Sequence, residues 1–520
     1  FNVAEPLIDS HVLEGRGDKI AIFCGDETVT YRQLHERVNR MGNLLRYLGV
    51  RMEDRVAILL PDCPECAYAF FGAIKIGAVA IPMNMNLVPE DLEYLLSDSR
   101  ARVLIMHPSL LGKVMPFRSK LKHLDHIVVT GDAAQGTLSL PTLMHAASPD
   151  LECADTSKDD AAFWLYSSGT TGKYKGVIHL HHDMIVEADL YAKATIGLRE
   201  SDVCFSVAKL FFAYGLGNGL YFPLRLGATT VLLPDRPVPE TVFAVIDRYQ
   251  PTVFFSVPTS YAALLHTAER IGRTNLGKVR LCISAGEPLP KAIFEKWRKR
   301  FGLEILDGIG STEILHIFIS NRPGHAKPGS TGQLVPGYEA RIVDEHGRDV
   351  PVGETGTLLI KGDSIAAGYW NKHEATQKTF LGEWVNTHDK FRMDEDGYFW
   401  YAGRTDDMMK VSGMAVWPAD VEAVLMEHPA VLECGVAGVP DADQLIKPWA
   451  WVVLKKGYEP SEQLARELQN FVKTHAEPHK YPRVIRFVHE LPKTSSGKIQ
   501  RYKLRKMGLA ESHHHHHPKT

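Results

Sequence analysis

The chain has 520 residues, 45% of them hydrophobic and 23% charged, enough for two to four domains and a large buried core. A net charge of −3 removes the electrostatic case for nucleic-acid or polybasic membrane binding, and no uninterrupted apolar run reaches membrane-spanning length. Seven scattered cysteines, an odd number, argue against a disulfide framework and for the reduced thiols of a cytoplasmic protein.

No signal-peptide pattern opens the chain, and Phe1 is no initiator residue, so the natural start is expected to lie upstream. The first clear element is an amphipathic helix. Thr30 and Gln33 form a capping box, Leu34, Val38, Met41 and Leu45 an apolar stripe, and Gly49 is placed to end it. Short apolar runs follow at 55–60, 78–83, 103–107 and 126–130, separated by helical patterns such as 89–97. The segment 66–82 contains Lys75 and reads as a buried helix followed by a strand. Runs apolar on both faces, alternating with helices, predict a parallel sheet covered on both sides. Cys63-Pro-Glu-Cys66 is a lone CxxC without the second pair that a zinc site requires.

Between apolar runs at 161–165 and 177–178 lies Tyr166-Ser-Ser-Gly-Thr-Thr-Gly-Lys-Tyr-Lys-Gly-Val177, a polar loop between strands. Gly169, Gly172 and Gly176 permit backbone conformations that turn amides inward. Ser167, Ser168, Thr170, Thr171, Lys173 and Lys175 add donors and positive charge. Such a turn makes an anion-binding concavity suited to polyphosphate. It is not the Gly-x4-Gly-Lys-[Ser/Thr] loop, because no glycine stands at the required position and Tyr174 follows Lys173. The competing reading is a solvated linker, disfavoured by the apolar flanks and the lysines. His179, His181 and His182 have no carboxylate pattern to complete a metal site and read as structural.

A second array has runs at 203–207, 228–233, 252–257 and 279–284, spaced by helices such as 238–249. After the tight turn of Ile305-Leu-Asp-Gly-Ile-Gly310 come Ser311, Thr312 and Glu313. A hydroxyl beside a carboxylate at a strand end can meet a phosphoryl oxygen and a hard cation; it can equally be a helix N-cap with its carboxylate. From about 330 the pattern becomes Gly/Pro-punctuated and alternating, as at 339–343 and 357–360, and predicts a smaller antiparallel barrel or sheet. Asp389 and Arg404 sit in turn sequences able to hold a ribose and a charged group. Beyond 404 follow helix 418–427, strands near 433–439 and 450–454, helix 461–474 and strand 484–488, an α+β unit. Leu491-Pro-Lys-Thr-Ser-Ser-Gly-Lys-Ile-Gln-Arg501 is a second Gly/Ser/Lys loop, whose Lys498 can bring a point charge to a developing anion. The five histidines at 513–517 resemble a purification tag.

Taken in order, these stretches resemble the acyl- and aryl-CoA ligases of the adenylate-forming superfamily over essentially the whole length. The first loop resembles Ser-Gly-Thr-Thr-Gly-x-Pro-Lys-Gly, with Tyr174 in place of proline. Gly308-Ile-Gly-Ser-Thr-Glu313, Thr387-His-Asp389, Gly403-Arg-Thr-Asp406 and the Lys498 loop follow in the family's order. Ile309 stands where an aromatic is common, His388 where glycine is usual and Phe212 where histidine is frequent. The resemblance implies an α/β fold with a large N-terminal domain, 1–403, of two αβ-layered sheets plus a small β-barrel-like subdomain. A hinge at 404–407, centred on Asp406, would join it to a small mobile α+β domain, 408–511, ahead of a tag-like tail, 512–520.

It further implies ATP, Mg2+ and coenzyme A. The carboxylate attacks the α-phosphate to give acyl-AMP and pyrophosphate; the CoA thiol then displaces AMP. Lys498, Thr312 and Glu313 take the catalytic positions, with Glu313 also on Mg2+. Ser167 to Gly172 and Lys175 face the phosphates. Ser284, Ala285, Gly286, Glu287 and Pro288, with Asp307, Gly308, Ile309, Gly310 and Ser311, surround the nucleotide, while Asp389 and Arg404 hold the ribose side. Ser412 and Gly413 lie on the CoA side. The acyl pocket falls to Phe212, Ala213, Tyr214, Gly215, His316, Ile317 and Lys410.

The strings around 208–218 and 310–321 look specifically like benzoate-CoA ligases and their 4-hydroxybenzoate relatives, and Tyr214 with its apolar neighbours suits a flat ring. His316 is either a satisfied structural histidine or a substrate contact. The alternatives are a ligase for another small ring or short-chain acid (cyclohexanecarboxylate, cinnamate) or an adenylation module loading a carrier protein. The partners expected are small molecules, without nucleic acid or membrane, in a monomer or homodimer.

Overall fold

The computed structural model describes residues 1–167, 173–405, 407–411, 414–476, 478–494 and 497–516. The apolar runs of the first array form an eight-stranded sheet. Its parallel centre is Val79–Pro82, Arg55–Leu59, Val103–Met106 and His126–Val129. Ala161–Ser167 joins Val79–Pro82 in parallel and pairs antiparallel with Lys175–Leu180, so the two strands that flank the glycine-rich stretch in sequence lie side by side. The helix Tyr31–Tyr47 has the predicted capping box, Thr30 Oγ1 accepting from Gln33 N and Thr30 N donating to Gln33 Oε1. Helices starting at Pro64, Pro89, Pro239, Pro258 and Pro418 place proline in the first turn, where its missing N–H costs no helical bond. Within Pro64–Lys75 the buried ammonium of Lys75 is neutralised by Asp9 at 2.8 Å and bonded to Asn39 at 2.6 Å.

The second array, Thr229–Val231, Val203–Ser206, Val253–Ser256, Leu281–Ser284 and Ile305–Gly310, is parallel in that order. Two features depart from expectation. Ile20–Cys24 pairs with Thr229–Val231 and carries Glu27–Thr30 with it, so the start of the chain edges the second sheet. The antiparallel region after 330 is not a separate sheet: Ile317–Ser320, Gly332–Leu334 and Tyr398–Arg404 prolong the second sheet edge to edge, ending at Glu339–Val343. The turn at 311–316 reverses the chain direction, and antiparallel pairing follows from it.

Beyond 408, the hairpin Met409–Val411 and Met414–Val416 precedes a three-stranded sheet of Val431–Pro440, Ile446–Leu454 and Val484–Phe487. Helices Pro418–Met426 and Glu462–His475 cover it, and the final helix, Arg501–His516, runs into the histidine tract. One apolar cluster holds Tyr261 and Trp297 of the second layer together with Val421, Leu425 and Val436 of this smaller unit, so the two are packed against each other. Among the described residues no helix is long and apolar enough to cross a membrane.

Candidate active site

The parallel strands of the second sheet end on a cavity of about 700 Å³, the usual place for a ligand in such sheets. Strand Leu281–Ser284 runs into a wall of Ala285, Gly286, Glu287 and Pro288; Ile305–Gly310 contributes Gly308, Ile309 and Gly310, followed by Ser311, Thr312 and Glu313. Ser167 and Lys175, the facing ends of these two paired strands, also line the cavity, with the Lys175 ammonium 5.5 Å from the centre of the Tyr369 ring. Ser168, Gly169, Thr170, Thr171 and Gly172 lie outside the described residues, as do Asp406, Ser412 and Gly413. Lys410 stands in Met409–Val411, its side chain likewise outside the description.

Ser284 and Asp307 are not in the wall. With Ser256 they align in register on the face shared with Cys282, Phe254 and Ile305, because alternate residues of a strand point to opposite faces. Asp307 instead accepts from Leu289 N at 3.1 Å, bracing the 285–290 loop from behind, and burial holds its carboxyl well above the usual range. Gly215 is also buried behind the wall. A Cβ there would sit 2.0 Å from the Lys209 carbonyl, so its role is close backbone packing.

In the 311–316 turn, Ser311 Oγ accepts from Ile314 N at 3.3 Å, the bond of an N-cap, but no helix follows. Glu313 turns away from that motif and accepts from Tyr369 OH at 2.9 Å. Asp389 and Arg404 are register partners, with Oδ1 and Nη1 3.1 Å apart. Burial raises the Asp389 carboxyl, and the charges of Arg404 and Lys498 oppose that shift. His388 has φ +58°, so the residue standing where glycine is usual occupies the left-handed region that favours glycine.

Lys498 enters the same cavity from the smaller unit. Its turn is closed by Lys498 N donating to Thr494 Oγ1 at 3.1 Å, and Ile499 N donates to Glu287 Oε1 at 2.8 Å, docking the turn on the 285–290 loop. Arg501 is held by Glu422 and lies 3.5 Å from Asp407, just after the expected hinge position. Neither this anchor nor Tyr369 was picked out from sequence. Single Tyr, Glu and Arg residues carry no motif, and their partners are 56 to 94 positions away.

In the same cavity, Phe212, Ala213, Tyr214, His316 and Ile317 form a ring-lined recess, with the Tyr214 and His316 ring centroids 5.4 Å apart. Tyr214 OH donates to the Ser256 carbonyl at 2.9 Å, presenting the ring rather than the hydroxyl. His316 is buried, with Nε2 3.0 Å from both the Tyr214 carbonyl and Asn218 Oδ1. Nε2 therefore carries the proton and does the structural work, while Nδ1 has no partner among the described residues. Burial lowers the imidazole pKa to about 3, so it is neutral.

Residues 10–370 match the family described as AMP-binding enzyme, and 420–498 its C-terminal domain. The chain is 48% identical over 507 residues to a benzoate–CoA ligase of Thauera aromatica, covering 97% of this chain and 96% of the relative. It is 45% identical to a 4-hydroxybenzoate–CoA/benzoate–CoA ligase of Rhodopseudomonas palustris, covering 98% and 94%. Among solved structures, the anthranilate CoA ligase AuaEII in complex with anthranoyl-AMP superposes with a TM-score of 0.95 at 44% identity, covering 99% of this chain and 98% of that one. A benzoate CoA ligase from Burkholderia xenovorans LB400 superposes at 0.89 with 45% identity, covering 97% and 100%.

Proposed function

Because the chain belongs to the AMP-binding enzyme family, we propose that it joins an aromatic carboxylate, benzoate or a hydroxybenzoate, to coenzyme A through an acyl-adenylate, releasing AMP and pyrophosphate. The observation that carries this reading is that one cavity is lined together by the ring-bearing recess of Phe212, Tyr214 and His316, by Thr312, Glu313 and Lys498, and by the Asp389–Arg404 pair. These three sets of groups suit the ring, the phosphate and the ribose of an aroyl-AMP. The recess presents aromatic and aliphatic surface with no cationic side chain among its described residues, which suits an uncharged ring.

Adenylation must bring a carboxylate against a phosphate, so the protein has to neutralise charge where it develops. Lys498 supplies a positive charge at the α-phosphate, Thr312 a hydroxyl beside it, and Lys175 a second cation towards the departing phosphates. Asp389 is placed to accept from ribose hydroxyls, with Arg404 fixing its carboxylate. Glu313 fits a role in holding Mg2+: it is a carboxylate at the cavity wall with one oxygen fixed by Tyr369, and such a cation is completed by phosphate and water oxygens. Bound there, Mg2+ would offset phosphate charge. The thiol step needs Lys498 removed and the thioester side opened. The 408–511 unit, hinged at 404–407, is suited to that rotation, with Ser412 and Gly413 then on the CoA side. ATP- and CoA-dependent AMP formation, measured across benzoate, hydroxybenzoates, anthranilate, cyclohexanecarboxylate, cinnamates and fatty acids, tests the reading. Turnover of benzoate or a hydroxybenzoate above the others is expected; preference for a long-chain acid sinks it.

A further inference from the structure

Three buried titratable side chains have no part in the chemistry above: His179, Asp183 and Glu187, four residues apart in turn and without solvent exposure. His179 comes from strand Lys175–Leu180, and the two acids bound the short helix Asp183–Glu187. His179 Nε2 lies 2.6 Å from the carbonyl of Thr312. A carbonyl only accepts, so Nε2 carries a proton. Nδ1 lies 2.7 Å from Asp183 Oδ2, which also accepts from Leu180 N at 3.0 Å, so ring and carboxyl orient each other. Four residues on, Glu187 Oε1 accepts from the backbone N of His316 at 3.1 Å. A third anchor falls between them: the Ser364 hydroxyl donates to the Ile314 carbonyl at 2.7 Å.

All three anchors land on backbone atoms of one five-residue segment, 312–316. Inside it Leu315, which is buried, has φ +86°, a conformation that side chains resist and that persists only when its surroundings impose it. The segment carries Thr312 and Glu313 at one end and His316 at the other. Its geometry therefore sets the distance between the phosphate-facing groups and the wall of the ring recess. Burying an imidazole and two carboxyl groups is unfavourable unless each is well bonded, and strand pairing alone already ties these elements to the sheet.

We propose that His179, oriented by Asp183, and Glu187 are positioning residues that hold the strained 312–316 turn, fixing the phosphate-facing groups and the acyl wall relative to each other. The proposal rests on the functional reading above. In-line attack requires reacting atoms near contact distance, so a shift of the turn by a fraction of an ångström lowers turnover without removing any group that touches substrate.

The test uses the full chain with ATP, benzoate and CoA. His179→Phe retains a ring to stack on Phe163, whose centroid is 5.4 Å away, and removes both polar contacts. It is expected to lower kcat for adenylation about 10- to 100-fold with the KM for ATP within about twofold. Glu187→Leu should raise the KM for benzoate and lower kcat, whereas Glu187→Gln, which keeps the acceptor for His316 N, should restore both to within about threefold of wild type. Ser364→Ala removes one hydroxyl and serves if the larger changes fail to fold; a several-fold loss in kcat/KM for benzoate is expected. Unchanged kinetics in the folded variants, with only a lowered Tm, overturn the proposal, as does damage from Glu187→Gln equal to that from Glu187→Leu. A wild-type chain that forms no aroyl-AMP would defeat the functional reading and this clamp with it; an active wild type with kinetically silent variants defeats the clamp alone.

Discussion

Replacing Lys498 by alanine separates the two half-reactions. In the structure Lys498 lines the cavity, its charge acts on the half-buried Asp389 carboxyl, and its turn is docked through Ile499 N on Glu287. The bonds to Thr494 Oγ1 and Glu287 Oε1 are donated by the backbone amides of Lys498 and Ile499, so the variant keeps the loop and loses only the cation. A unit charge about 4 Å from the developing negative charge, at an effective dielectric of about 20, is worth roughly 4 kcal/mol. Lys498 is exposed in the structure, so water and salt reduce that figure, and loss of a single preorganised donor elsewhere costs about 3 kcal/mol. The expected effect is a fall of at least about 100-fold in adenylation. The assay is benzoate-dependent ATP–pyrophosphate exchange beside CoA thioester formation from supplied benzoyl-AMP. The second rate should stay within about threefold of wild type, because the proposed rotation would withdraw Lys498 in that step. Equal losses in both would refute the assignment.

Tyr369→Phe removes the hydroxyl that orients Glu313, a bond to a charged acceptor worth about 1.5–3 kcal/mol. Adenylation kcat should fall about tenfold in magnesium titrations, and an unchanged kcat at every magnesium concentration counts against Glu313 as the cation ligand. Thr30→Ala should cost about 1 kcal/mol in urea unfolding with no change in kinetics; added to Gln33→Ala the loss should be less than additive, since both sever one capping box. His11, His181 and His316 are buried with pKa values lowered to about 4, 4 and 3. They stay neutral in the fold while the unfolded chain takes up protons below about 6.5, so their contribution is intact above that pH and is lost as pH falls. Tm should therefore decline between pH 7 and 5, less steeply in His11→Gln, and a flat profile would contradict the burial of neutral imidazoles.

Local chemistry was legible without coordinates. The Thr30–Gln33 capping box, helices such as those at 89–97 and 418–427, and the apolar runs were readable because caps and strand alternation depend on residues within a few positions of each other. The residue types of the cavity wall were readable for the same reason, since Gly308 to Glu313 form one contiguous turn. What depends on partners far along the chain was not. Sequence placed Ser284 and Asp307 with the nucleotide, yet the pleat turns both to the opposite face, and only the register of three neighbouring strands settles which face that is. Ile20–Cys24 was not picked out as a strand, and its pairing with Thr229–Val231 is a fact of the whole sheet. His179 looked structural and is so in its bonding, but its partner is the carbonyl of Thr312, 133 residues on. Backbone acceptors leave no trace in side-chain pattern. Sequence determined the residue types that line the cavity, and the tertiary structure decided how they are held, because hydrogen bonds to distant main chain are set by packing rather than by spacing.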